Sequence, residues 1–136
     1  MAQSGGLTFF LDENMPRRLA AALREQLGEN ATHLYDHFGR TGVLDPEVLR
    51  FVGERGWLLV SRDRKIMRRP HERSVIEQMG IGAFFLKDSL DDLCSITRAI
   101  VHNWPEMKRY ARTRERPFAL LLRERGIVRL GNRHIR

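Results

Sequence analysis

Asp12, Asp45 and Asp63 stand where acidic side chains could do chemistry together. Asp12 directly follows the apolar run 7–11, and Asp63 follows the apolar run 57–60 after Ser61 and Arg62. Asp45-Pro46 opens the segment that leads into the second of these runs. If the two runs are neighbouring parallel strands, Asp12 and Asp63 emerge at one edge, and a helix leading into the second strand starts at that edge too. Such a cluster repels itself: two unit charges about 4 Å apart cost about 4 kcal/mol at an effective dielectric of 20. A shared proton, arginines or a divalent cation must offset that cost. All-oxygen ligation suits Mg2+ or Mn2+, and such an ion can activate water and neutralise charge developing on a phosphodiester. Asn14 and Ser61 are placed to orient the carboxylates from behind. Plainer roles are open to each acid: Asp12 ends a strand, Asp45 caps a helix, and Asp63 occupies a turn.

Cations crowd the third acid. Arg62, Arg64, Lys65, Arg68 and Arg69 fall within eight residues around Asp63, the arrangement a nuclease needs to hold phosphates beside a cut site; a solvated helix face is the plainer alternative. The whole chain carries 24 Lys+Arg against 17 Asp+Glu, a net charge of +7. The excess lies in the later part: residues 1–61 sum to −2 and residues 62–136 to +9. Nearly all the cations are arginine, whose fork matches phosphate oxygens in pairs. That asymmetry suggests a polyanionic partner. His33 and His37 lack a third residue spaced to complete a zinc site, and His71 reads as a surface histidine. The single cysteine, Cys94, excludes an internal disulfide framework and reads as a core thiol. Trp104 and Tyr110 read as packing residues.

The elements that must position these residues alternate. Runs 7–11, 31–35, 57–60 and 81–86 predict strands. Between them, Asn14 with Pro16 starts a helix that Gly28 ends, Asp45-Pro46 starts one that Gly56 ends, and 70–79 forms one closed by Gly80. Ser89 with Asp92 resembles a capping box opening a helix to about Asn103, and Pro105 restarts a short helix. Residues 118–122 and 127–130 predict two strands around a turn. The order implies an α/β fold with a mainly parallel sheet covered on both faces and a C-terminal antiparallel pair. Ligands bind such sheets beyond the carboxyl ends of the strands.

At 136 residues, with 42% hydrophobic and 30% charged residues, the chain fits one globular domain over 1–136. The expected core is 7–130, with a basic tail at 131–136. No apolar run approaches a membrane span, and the start shows no signal-peptide pattern. A cytoplasmic protein with no membrane partner is expected.

Phe10-Leu-Asp-Glu-Asn-Met-Pro16, Leu44-Asp-Pro-Glu-Val-Leu49 and Leu58-Leu-Val-Ser-Arg-Asp63 resemble the three acidic motifs of PIN-like nucleases. The compact VapC-type toxin branch is most similar, and the likeness runs from about Leu7 to Leu130. The resemblance implies a three-layer α/β/α sandwich and a Mg2+- or Mn2+-dependent endoribonuclease, with Asp12, Asp45 and Asp63 as catalytic metal ligands. It also implies RNA as substrate, a small antitoxin protein as partner, and self-association as a homodimer. The family's fourth acid has no clear match; Asp88, Asp91 and Asp92 are candidates, and Glu47 competes with Asp45. That departure keeps a second reading open, an inactive RNA-binding or antitoxin-binding module. A third reading, an aspartyl-phosphate phosphatase, fits poorly because Asn14 stands where a second aspartate is wanted.

Overall fold

The computed structural model describes residues 6–130; the tail at 131–136 lies outside the described residues. The chain runs β1 (Phe9–Leu11), α1 (Arg17–Leu27), β2 (Ala31–His33), α2 (Leu34–Phe38), α3 (Asp45–Arg55), β3 (Leu58–Ser61), a 3-10 turn (Arg64–Arg68), α4 (Pro70–Met79), β4 (Gly82–Leu86), α5 (Leu93–Thr113), β5 (Phe118–Leu122) and β6 (Ile127–Arg129). Six strands form one sheet in the order β2-β1-β3-β4-β5-β6. All pairs are parallel except β5 with β6.

The strands are apolar at nearly every position because both sheet faces are covered. Side chains alternate between faces along a strand. Phe9, Leu11, Leu58, Val60, Phe84 and Leu86 therefore pack with α1 and α5. Phe10, Leu59, Ala83 and Phe85 pack with α2, α3 and α4 on the other side. Gly82 lets β4 pass beneath Phe118, whose ring lies 2.6 Å from where a Cβ would stand. Glu29 joins α5 to the amino end of β2 by accepting from Trp104 Nε1 at 2.8 Å and from Lys108. Burial pushes that carboxyl up, but the two donors and the Lys108 charge outweigh it and hold it below its usual range.

Several expectations are corrected. Strand β2 ends at His33 instead of running to residue 35, because the His33 ring caps a further helix, α2, by accepting from Tyr35 N at 3.0 Å. The capping box of α5 uses Asp92 and Ser95, not Ser89; Ser89 sits in the turn closed by Leu90 N donating to Lys87 O. Pro105 does not restart a helix but lies inside α5. It costs the Val101 carbonyl its helical donor, yet both residues are exposed, where water can serve that carbonyl. Cys94 is exposed, not core, with its Sγ 3.0 Å from Arg98 Nη2. Among the described residues no helix is long and apolar enough to cross a membrane.

Candidate nuclease site

The chain leaves β1 through α1 to reach β2 on one side, then returns across β1 to β3 on the other. The two crossovers use opposite faces, so a crevice opens between the carboxyl ends of β1 and β3. Asp12 closes β1, and Ser61 and Asp63 follow from β3 into that crevice.

Ser61 is the hub. Its side chain is fully buried. Its Oγ donates to Asp12 Oδ2 at 2.9 Å and accepts from Asp63 N at 3.0 Å and Asn14 Nδ2 at 3.3 Å. Asn14 Oδ1 in turn accepts from Arg62 N at 3.0 Å. Asn14 thus fastens the β1 loop to the β3 loop, and it does not cap α1 as the sequence suggests. Pro16 holds the cap position there without a side-chain bond.

Asp12 is 6% exposed. Burial pushes its carboxyl up to about 6, against the hydrogen bonds from Glu13 N and Ser61 Oγ, and the negative charges of Asp45 and Glu13 add to the rise. Asp45 also departs from the sequence expectation. It is the first residue of α3 instead of its cap, and its side chain makes no capping bond. Its Oδ2 lies 2.9 Å from Arg69 Nη1, and the same nitrogen lies 3.3 Å from Asp63 Oδ2. Asp63 Oδ1 accepts from Lys65 N and so caps the 3-10 turn. Burial raises the Asp45 carboxyl, the Asp63 charge raises it further, and Arg69 opposes both.

The expected cations divide in position. Arg69 bridges acids, and Arg64 pairs with Asp88 at 2.8 Å. Lys65 and Arg68 are exposed on the 3-10 turn, and Arg62 is half-buried beside it. Among the suggested fourth acids, Asp88 is tied to Arg64 and Asp92 caps α5; Asp91 is exposed. Glu47 lies 3.8 Å from Arg40, not among the aspartates. The acids that sequence reasoning passed over are Glu13 and Glu72, whose charges both press on Asp45. Their signals were adjacency to Asp12 and a place in the first turn of α4.

Buried and half-buried carboxylates thus gather at a switch point, with an arginine drawn in to offset two of them. The sequence fits the PIN-like domain family over residues 7–88, more than half of the chain. This chain belongs to that family. No curated protein and no solved structure matches it. PIN-like domains are typically nucleases and generally use divalent metals.

The residues present fit such a metal in chemistry and in electrostatic demand. Asp12, Asp45 and Asp63 offer hard oxygen donors, and the carboxyls of Asp12 and Asp45, raised first by burial and then by neighbouring acids, would be relieved by a cation. As the side chains stand, no three such groups among the described residues surround a common point. Arg69 holds Asp45 and Asp63 to itself, so it and a cation compete for the same oxygens.

Proposed function

We propose that this PIN-like domain is a Mg2+- or Mn2+-dependent endoribonuclease with Asp12, Asp45 and Asp63 as its metal-holding, catalytic acids. The observation that carries the reading is the gathering of three carboxylates at one crevice. Asp12 is buried and bonded to Ser61 beside Asp63, the charge of Asp45 presses on Asp12, and Asp45 shares Arg69 with Asp63. When bound, a divalent ion there supplies Lewis-acid activation of water and charge neutralisation at the phosphorus. This chain's own residues do the rest. Ser61 and Asn14 fix the distance between the β1 and β3 loops. Arg62, Lys65 and Arg68 offer positive charge beside the crevice, and Arg69, released from Asp45 and Asp63, is a further phosphate ligand within reach of the same spot.

The likeness to VapC-type toxins extends the proposal to a small antitoxin that covers the acidic edge. Leu44, 73% exposed just before Asp45, gives such a partner apolar area beside the acids. A second reading, a PIN-like module that binds RNA or an antitoxin without turnover, draws on the Arg69 bridge, which offsets Asp45 and Asp63 in part without any metal.

Cleavage of structured and unstructured RNA, with Mg2+, Mn2+ or EDTA, separates the two. Metal-dependent cleavage by the native chain, lost in an identically prepared Asp12→Asn variant, is expected. Salt-sensitive RNA binding without product under any metal overturns the nuclease reading in favour of the module. Equal cleavage by both proteins overturns the assignment of Asp12.

A further inference from the structure

Clefts continue from the acidic crevice along the carboxyl edge of the sheet, away from Arg69. The first, about 330 Å³, is lined by Asn14, Asp63, Lys65, Arg64 and Asp88, with Arg62 at its wall. The next, about 550 Å³, shares Arg64 and Asp88 and reaches Lys87, Ser89 and Arg123 at the ends of β4 and β5. A third, about 470 Å³, shares Lys87, Ser89 and Arg123 and ends at Arg125. Through these shared residues the clefts follow one another as a trough over the carboxyl ends of β3, β4 and β5, from the Leu121 side of the sheet to the Leu90 side.

Its charge is positive and uncommitted. The side chains of Lys87, Arg123 and Arg125 make no hydrogen bond or ion pair among the described residues. The two acids along this stretch beyond Asp63 are occupied: Asp88 by Arg64 at 2.8 Å and Glu124 by Arg98 at 3.4 Å. The backbone that carries Arg123 is itself held. Asn103 Nδ2, buried in α5, donates to the Arg123 carbonyl at 2.8 Å, and Asn103 Oδ1 accepts from Gly126 N at 2.8 Å. The floor includes Leu121 and Val128, and no aromatic ring lines the trough. A wall of cations over an aliphatic floor attracts a phosphate backbone but lacks a platform on which bases stack.

We propose that this trough is a binding track for single-stranded RNA, with Lys87 and Arg123 as phosphate contacts that lead the strand to the acids without reading its sequence. The choice of RNA as the ligand rests on the nuclease reading; the trough and its free cations do not. Neither residue belongs to the acidic motifs, and neither is among the cations from Arg62 to Arg69.

The test measures binding of a fluorescein-labelled 20-nucleotide oligouridylate by anisotropy, in EDTA, across a salt series. The proteins are the full chain, the Lys87→Ala/Arg123→Ala variant and a charge-matched Arg50→Ala/Arg112→Ala control, with thermal unfolding to confirm that all are folded. All four positions are exposed. Single-stranded binding weakens with salt at a log–log slope of about 0.7 per phosphate contacted. Loss of two contacts is therefore expected to lower the slope by about 1.4, while the control keeps the native slope. Equal losses in both variants overturn the track in favour of diffuse attraction. An unchanged slope in the Lys87/Arg123 variant also overturns it, as does a loss seen only with a polyglutamate peptide, which points to an acidic protein partner. Cleavage in Mn2+ is scored separately. A lowered slope without any cleavage leaves the track standing and the nuclease reading failed; cleavage with an unchanged slope gives the reverse.

Discussion

Asp12→Asn is expected to gain stability relative to the native apo protein as the pH rises, although it removes the central carboxylate. The folded carboxyl holds its proton up to about pH 6 because it is buried, while an unfolded aspartate releases its proton near 3.8. Between those values the folded state binds more protons than the unfolded one. Stability therefore falls as pH rises through this window, and the loss is complete above pH 6. A gap of roughly two pH units corresponds to about 3 kcal/mol, most of which falls between pH 4 and 7.5. Asparagine cannot ionise and escapes this loss. It carries a separate cost independent of pH: both Asp12 oxygens accept, one from Glu13 N and one from Ser61 Oγ, so the amide NH2 must face one of these donors, and an ill-matched buried polar contact costs about 1–3 kcal/mol. The readable quantity is thus the change in the difference between variant and native chain across pH. Urea unfolding in EDTA at pH 4, 5.5 and 7.5 measures it. A difference that moves in favour of the variant by about 2 kcal/mol or more supports the burial argument. A flat difference refutes it, because an Asp12 that loses nothing on ionising is not held away from water.

Arg69→Gln removes the cation that Asp45 and Asp63 share; Mn2+ affinity by titration calorimetry is expected to rise at least several-fold, and an unchanged affinity contradicts the competition described above. The same substitution leaves Asp45 with its burial and the Asp63 charge unopposed, so its carboxyl is expected to titrate higher than in the native chain by NMR. Asn103→Ala leaves the Arg123 carbonyl and Gly126 N without their side-chain partner. A loss of about 1–3 kcal/mol in urea unfolding is expected from two such part-buried hydrogen bonds, together with faster amide exchange in the β5–β6 turn.

The sheet was legible because its strands carry their own signature. Continuous runs such as 57–60 and 81–86 have no polar face, which both-side burial requires. The glycines after α1, α3 and α4 marked helix ends, and each adopts the left-handed conformation that closes a helix. What stayed hidden depends on partners distant in the chain. Asn14 reads as a helix cap until β3 is known to run beside β1 and offer Ser61. Arg69 reads as a free cation until α3 and the 3-10 turn bring two aspartates to it. The five residues of α2 have too little periodicity to announce a helix, and a histidine ring supplies the cap. Pro105 looks like a helix boundary because local propensity says so, but Trp104 and Met107 are buried on the inner side of α5 and keep it continuous.

The match to the family ends at residue 88, yet the sheet does not. Phe9 packs against Trp104 with ring centroids 4.5 Å apart, and Phe84 meets Phe118 edge-on at 5.5 Å. One face of β1, β3 and β4 has only α1 against it until α5 and β5 exist. A ribosome builds the chain from its amino end at about 5–20 residues per second. Asp12, Asp45 and Asp63 are therefore all synthesised before the pieces that close the fold over them, and the 34 residues from 88 to 122 take about 2–7 s. That interval is a delay set by the order of translation: the three acids leave the ribosome before the helix and strand that complete the sheet beneath them.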